Sequence, residues 1–133
     1  MRVRRLVVVV LGLLACTIVV QAQRANAWVL LGERSVTDRL DRDRIEVGAA
    51  RGTFRSVRLD VSGHAVDFQK VVIHFHNGGD QNVGLKNTIP AGASSRVIDI
   101  EGANRTITSI EFWYDAKTMG RGGRALVKAM GRR

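Results

Sequence analysis

Past residue 16 the sequence contains no cysteine, and along its whole length it holds a single proline, Pro90. The first absence excludes disulfides, a thiolate nucleophile and cysteine-ligated metal from everything downstream of Cys16. The second leaves nearly every backbone N–H available to a sheet ladder. Aromatic residues make up only 5% of the chain, two of them tryptophan and one tyrosine, so a stacking site has to be built around one ring. Low-complexity tracts, internal repeats and apolar periodicity of helix length are also missing.

What is present starts with charge and then a hydrophobic stretch. Met1-Arg2-Val3-Arg4-Arg5 places three arginines ahead of Leu6–Val20, a run without a charge. Ala25-Asn26-Ala27 supplies small residues where a signal peptidase reads them, and Trp28 opens the next segment. This order predicts a secretory leader over residues 1–27 and a mature domain over 28–133, periplasmic or secreted. The run is short for a membrane anchor, covering about 22 Å of a hydrocarbon core roughly 30 Å thick. Leu13-Leu14-Ala15-Cys16 resembles a lipobox, the alternative in which a lipidated Cys16 holds the domain on a membrane. The apolar Thr17-Ile18-Val19-Val20 stands where that motif wants a polar tether.

The remaining chain has single-domain length. Four arginines leave with the leader, so 17 Lys and Arg stand against 12 Asp and Glu, and 13 of the 17 are arginine. Guanidinium groups suit bidentate contact with carboxylate, phosphate or sulfate. An exported location argues against nucleic acid and favours an anionic glycan, a lipid headgroup or an acidic protein as partner.

The mature segment alternates. Val57, Leu59 and Val61 are separated by Arg58 and Asp60, Val71, Ile73 and Phe75 by Val72 and His74, and Ile110 and Phe112 by Glu111. Ile98 and Ile100 flank Asp99 in the same way. Side chains leave a strand on alternate faces, so these sets predict one core containing Val57, Leu59, Val71, Ile73, Phe75, Ile98, Ile110 and Phe112. Turns are marked by Ser62-Gly63, Asn77-Gly78-Gly79, Pro90-Ala91-Gly92, Gly102-Ala103-Asn104 and Gly120–Gly123. Trp28–Gly32 reads as a first strand, Glu33–Arg44 as a charged connection and Ala65–Phe68 as a short strand. Gln81–Lys86 reads as a hairpin partner and Ala125–Met130 as the last strand. Seven to nine short strands predict an all-β fold, a single small antiparallel β-sandwich of jelly-roll type, with a closed small barrel as the alternative.

Several of these positions form a pattern. Trp28-x-x-Leu31-Gly32, Asp41-Arg42-Asp43-x-Ile45-x-Val47, Asn77-Gly78, Pro90-x-Gly92-x-Ser94-Ser95-Arg96-x-Ile98, Gly102-x-x-Arg105-x-Ile107 and Phe112-x-Tyr114 follow one another in order. Together they resemble a family of short secreted bacterial β-sandwich proteins of unknown function. The resemblance implies a fold and a compartment, and no activity.

Residues able to carry chemistry are few. His74 and His76, two apart on an expected strand, leave one face, with Asp80 beyond the turn. His-x-His with a nearby carboxylate is similar to cupin metal ligands, but Phe68 and Ser95 stand where the cupin motifs want glycine and histidine. A tight site also needs three or four converging ligands. His74, His76 and Asp80 are therefore expected to hold no metal, and no cofactor is expected. Serines at 35, 56, 62, 94, 95 and 109 lie in no Gly-x-Ser-x-Gly turn. Asp38, Asp41 and Asp43 interleave with Arg39, Arg42 and Arg44 rather than forming a calcium loop, and are expected to pair with these arginines or with Arg96 and Arg105 from later strands. Trp113 alternates outward beside Glu111, where a sandwich face can stack a sugar ring. Trp113, Arg96 and Arg105 are the candidate ligand-binding residues.

These observations predict an exported, non-enzymatic β-sandwich acting as a binding or envelope-associated module. Two alternatives remain open: a cupin-like metal-dependent or sugar-active enzyme using His74, His76 and Asp80, and a secreted inhibitor or accessory subunit presenting a loop.

Overall fold

The computed structural model describes residues 27–133. The rest of the leader read over residues 1–27, and the lipobox ending at Cys16, lie outside the described residues. Ten strands follow: β1 (Val29–Thr37), β2 (Arg42–Glu46), β3 (Thr53–Phe54), β4 (Ser56–Ser62), β5 (Val66–Phe75), β6 (Asp80–Val83), β7 (Asn87–Ile89), β8 (Ile98–Asp99), β9 (Arg105–Tyr114) and β10 (Arg124–Arg132). Single 3-10 turns lie at Ala49–Arg51 and Ala116–Met119.

The strands form two antiparallel sheets. The first has the order β1-β10-β4-β8. The second has the order β2-β9-β5-β6, with β3 added to β9 and β7 to β5. Packed face to face they make a β-sandwich, as the alternation predicts. All eight expected core residues are buried, together with Phe54, Phe68, Tyr114 and Val127. Phe112 sits at the centre, edge-on to Phe68 at 5.7 Å and tilted against Tyr114 at 5.9 Å between ring centroids.

The departures from sequence expectation have physical reasons. Glu33–Arg44 is not one long connection, because β1 continues to Thr37 and β2 begins at Arg42. Among the described residues β1 pairs as a strand with β10 alone and can carry charged side chains toward solvent, so polarity hid a strand. The expected short strand at Ala65–Phe68 merges into β5 through a register slip between Phe68 and Lys70. Such a bulge lets Phe68 and Val71, an odd number of residues apart, both point inward. A second slip between His74 and Phe75 does the same for Ile107 and Ile110 on β9.

The two sheets are fastened along both long sides. On one side β1 runs against β2 at Gly32, where an added Cβ would lie 2.7 Å from Ile45 Cγ2 and 2.8 Å from the Glu46 carbonyl oxygen. Beside it Arg34 Nε donates to Asp43 Oδ1 at 2.9 Å, and the Tyr114 hydroxyl donates to Asp43 Oδ2 at 3.0 Å. On the other side the buried Gln81 of β6 reaches the first sheet. Its Nε2 donates to the Asp99 carbonyl at 2.8 Å, and its Oε1 accepts from the Glu101 N–H at 2.9 Å. Among the described residues no buried side-chain polar atom lacks a partner.

Candidate functional site

The outer face of β2-β9-β5-β6 is built by what its alternate residues do. Asp43, Ile45, Ile110, Phe112, Val71 and Ile73 turn inward, so the residues between them are forced outward. Cross-strand pairing then sets them in rows. One row is Arg42, Trp113 and Lys70. The next is Arg44, Glu111, Val72 and Asn82, and the third is Glu46, Ser109, His74 and Asp80.

In the first row the Trp113 ring is half-buried between two cations. Lys70 Nζ lies 4.9 Å and Arg42 Cζ 5.9 Å from its centroid. Contacts of this kind contribute about 0.5–1 kcal/mol each at exposed positions. In the lower rows Glu111 is shared. Its Oε2 lies 3.4 Å from Arg42 Nε and 3.9 Å from Arg44, while Oε1 lies 3.1 Å from His74 Nε2. The other ring nitrogen, Nδ1, lies 2.6 Å from Asp80 Oδ1. Burial opposes the imidazolium, but the bonds to Glu111 and Asp80 outweigh it and raise the pKa of His74. The face therefore joins one aromatic ring, three cations and a carboxylate–histidine–carboxylate chain.

This arrangement sits in a sequence that matches a domain of unknown function, DUF2541, over residues 6–131. The chain belongs to the DUF2541 family. No curated protein matches it. Among solved structures, the DUF2541 chain is similar to Pseudomonas aeruginosa AlgX at 17% identity and a TM-score of 0.51, over 79% of this chain. It spans only 27% of AlgX. It is also similar to a variant of the family 29 carbohydrate-binding module CBM29-2, at 13% identity and a TM-score of 0.42, over 80% of this chain and 91% of the module. The SPBc2 prophage-derived protein YomS shows 15% identity and a TM-score of 0.42 over the same shares. At these identities the AlgX likeness bears on the fold alone.

The DUF2541 structure does not gather the candidate residues named from sequence. Trp113 is on the face just described. Arg105 is eight residues away at the start of β9, about 27 Å along an extended strand. Its guanidinium stacks on Phe75 at 3.7 Å and donates to the Gly78 carbonyl at 3.1 Å. Arg96 is exposed beside Ser95, whose hydroxyl accepts from the Leu59 N–H in the other sheet.

The expected pairing of these arginines with Asp38–Asp43 is corrected too. Asp38 accepts from the Gly122 N–H, Asp41 from the Ala116 N–H, and Asp43 is taken by Arg34 and Tyr114. Phe54 is opposite Arg105 and Arg42 opposite Trp113, so the acidic segment meets the far end of β9. His74 and Asp80 do come together. His76 lies in the turn after β5, where its N–H donates to the Thr106 carbonyl, because the ladder stops at Phe75. Among the described residues no group of three or more His, Asp and Glu is arranged to hold a metal ion.

Lys70, Arg42, Arg44 and Glu111 were not foreseen as site residues. Alternation signals that they face outward. Their neighbours on the face depend on the register between β2, β9 and β5, which no local pattern encodes.

Proposed function

We propose that the protein is an exported binding module that acts by recognition rather than catalysis, and that its ligand is an acidic polysaccharide held on the outer face of β2-β9-β5-β6. The observation that carries this reading is the Trp113 ring set between Lys70 and Arg42 in one row. The C–H face of a sugar ring would stack on the half-buried indole where Lys70 or Arg42 swings aside. The flanking cations meet a carboxylate on the same or a neighbouring sugar. Export is supported by the order of residues 1–27. Engagement of both His74 ring nitrogens by carboxylates supports a positioning role for that side chain.

The test is calorimetric titration of a soluble polyuronate beside a neutral glucan of equal length. The polyuronate should bind and the glucan bind much more weakly. Trp113→Ala should cost about 1–2 kcal/mol of affinity for the polyuronate. Lys70→Gln should weaken polyuronate binding and leave any glucan binding unchanged. Equal affinity in wild type and Trp113→Ala would remove the face from consideration.

A further inference from the structure

A second cationic surface lies at the end of the sandwich where β9 begins, remote from Trp113. Phe54 is opposite Arg105 there, and Arg55, which follows it, opens onto a groove of about 540 Å³. Ser56 and Asp99 line it as a cross-strand pair, with Arg132 opposite Ser56 on β10 and Arg133 just beyond. Ala103 completes the wall. It is held at φ 50° and Asn104 at φ 38°, a left-handed pair that non-glycine residues seldom adopt.

Charge here is left unbalanced. Among the described residues the side chains of Arg55, Arg132 and Arg133 form no ion pair, and Asp99 is the one acidic side chain lining the groove. Nearby Arg58 differs, with Asp60 at 2.9 Å. Two of the three guanidiniums are positioned by aromatic faces instead. Arg132 lies 4.6 Å from the Trp28 centroid, and Arg133 lies 4.9 Å from that of Phe54 while donating to the Arg51 carbonyl at 2.8 Å. Stacking occupies the flat face of a guanidinium and leaves its N–H edge for an anion.

We propose that this groove binds a phosphate group, carried by a lipid headgroup or by a soluble phosphate ester. Three arginines line the groove: Arg132 at the end of β10, Arg133 just beyond it and Arg55 just ahead of β4. A tetrahedral phosphate presents an oxygen to each. Recognition here is independent of the Trp113 face.

The experiment is titration of inorganic phosphate into isotope-labelled protein, followed by amide and arginine side-chain resonances. Saturable shifts should appear at Arg55, Ser56, Ala103 and Arg132. Affinity should fall about tenfold or more in Arg55→Gln/Arg133→Gln, two exposed positions outside the core, and stay at the wild-type value in Trp113→Ala. An unchanged melting temperature establishes that the double variant is folded. Vesicles of phosphatidylcholine with and without phosphatidic acid, beside a sugar phosphate in solution, then separate the two sources. Capture by the acidic vesicles that is lost in the double variant identifies a headgroup, and saturation by the sugar phosphate alone identifies a soluble ester. Shifts that rise without saturating, or equal affinity in the double variant, would overturn the proposal.

Discussion

At position 74 one imidazole meets two carboxylates, and its charge is decided by a contest between burial and those contacts. Burial works against the proton, Glu111 and Asp80 work for it, and the balance raises the pKa above the ordinary 6.5. A raised folded-state value means that protonation stabilises the fold. That contribution is complete below the ordinary value and disappears as pH rises through the raised one. The melting-temperature gap between wild type and His74→Gln should therefore be widest near about pH 6 and close in alkaline solution, as a thermal series across pH will register. Tyr114 presents the opposite case. Burial first, and then the bond to Asp43, push its phenol well above its usual range, so it remains a hydrogen donor at neutral pH. Tyr114→Phe withdraws that donor from a buried carboxylate. It should cost about 1.5–3 kcal/mol in denaturant unfolding while leaving polyuronate affinity unchanged.

Among the elements, β4, β5 and β9 show how far alternation carries. Val57-Arg58-Leu59-Asp60-Val61 and Ile110-Glu111-Phe112 were legible because one face is buried, and a one-residue slip would expose every apolar side chain at once. β1 was half-hidden, since Glu33, Arg34 and Ser35 read as a connection yet pair with Lys128, Val127 and Leu126. The bulges in β5 and β9 were invisible, because an extra residue leaves no mark on composition. Candidate site residues fell on the same divide. The outward placement of Trp113 was readable from its neighbours, whereas its meeting with Lys70 and Arg42 required three strands to be in register. Gly32 tests the close approach of β1 to β2. Gly32→Ala would press a Cβ against the Glu46 carbonyl, where backbone has to move, and should destabilise by about 1–3 kcal/mol in equilibrium unfolding.

For the molecule as a whole, part of the positive charge gathers at two places. One share flanks Trp113 on the outer sheet face, and another lines the groove at the opposite end of β9. Composition could count the arginines but could not divide them, since that division follows from which strands are neighbours. The fastening of the sheets along both sides has a further consequence. Gln81 occupies the gap between β6 and β8, and its amide takes up a carbonyl and an N–H that a passing extended peptide would otherwise find. That gap is thus closed to edge-on pairing with another copy, a hazard for a chain rich in β-branched residues that lacks cross-links downstream of Cys16. Gln81→Leu keeps the bulk and removes both bonds. Concentrated solutions of that variant should scatter light and bind thioflavin T within hours under conditions where the wild type stays clear, because a seam that holds two sheets together also keeps a third from joining them.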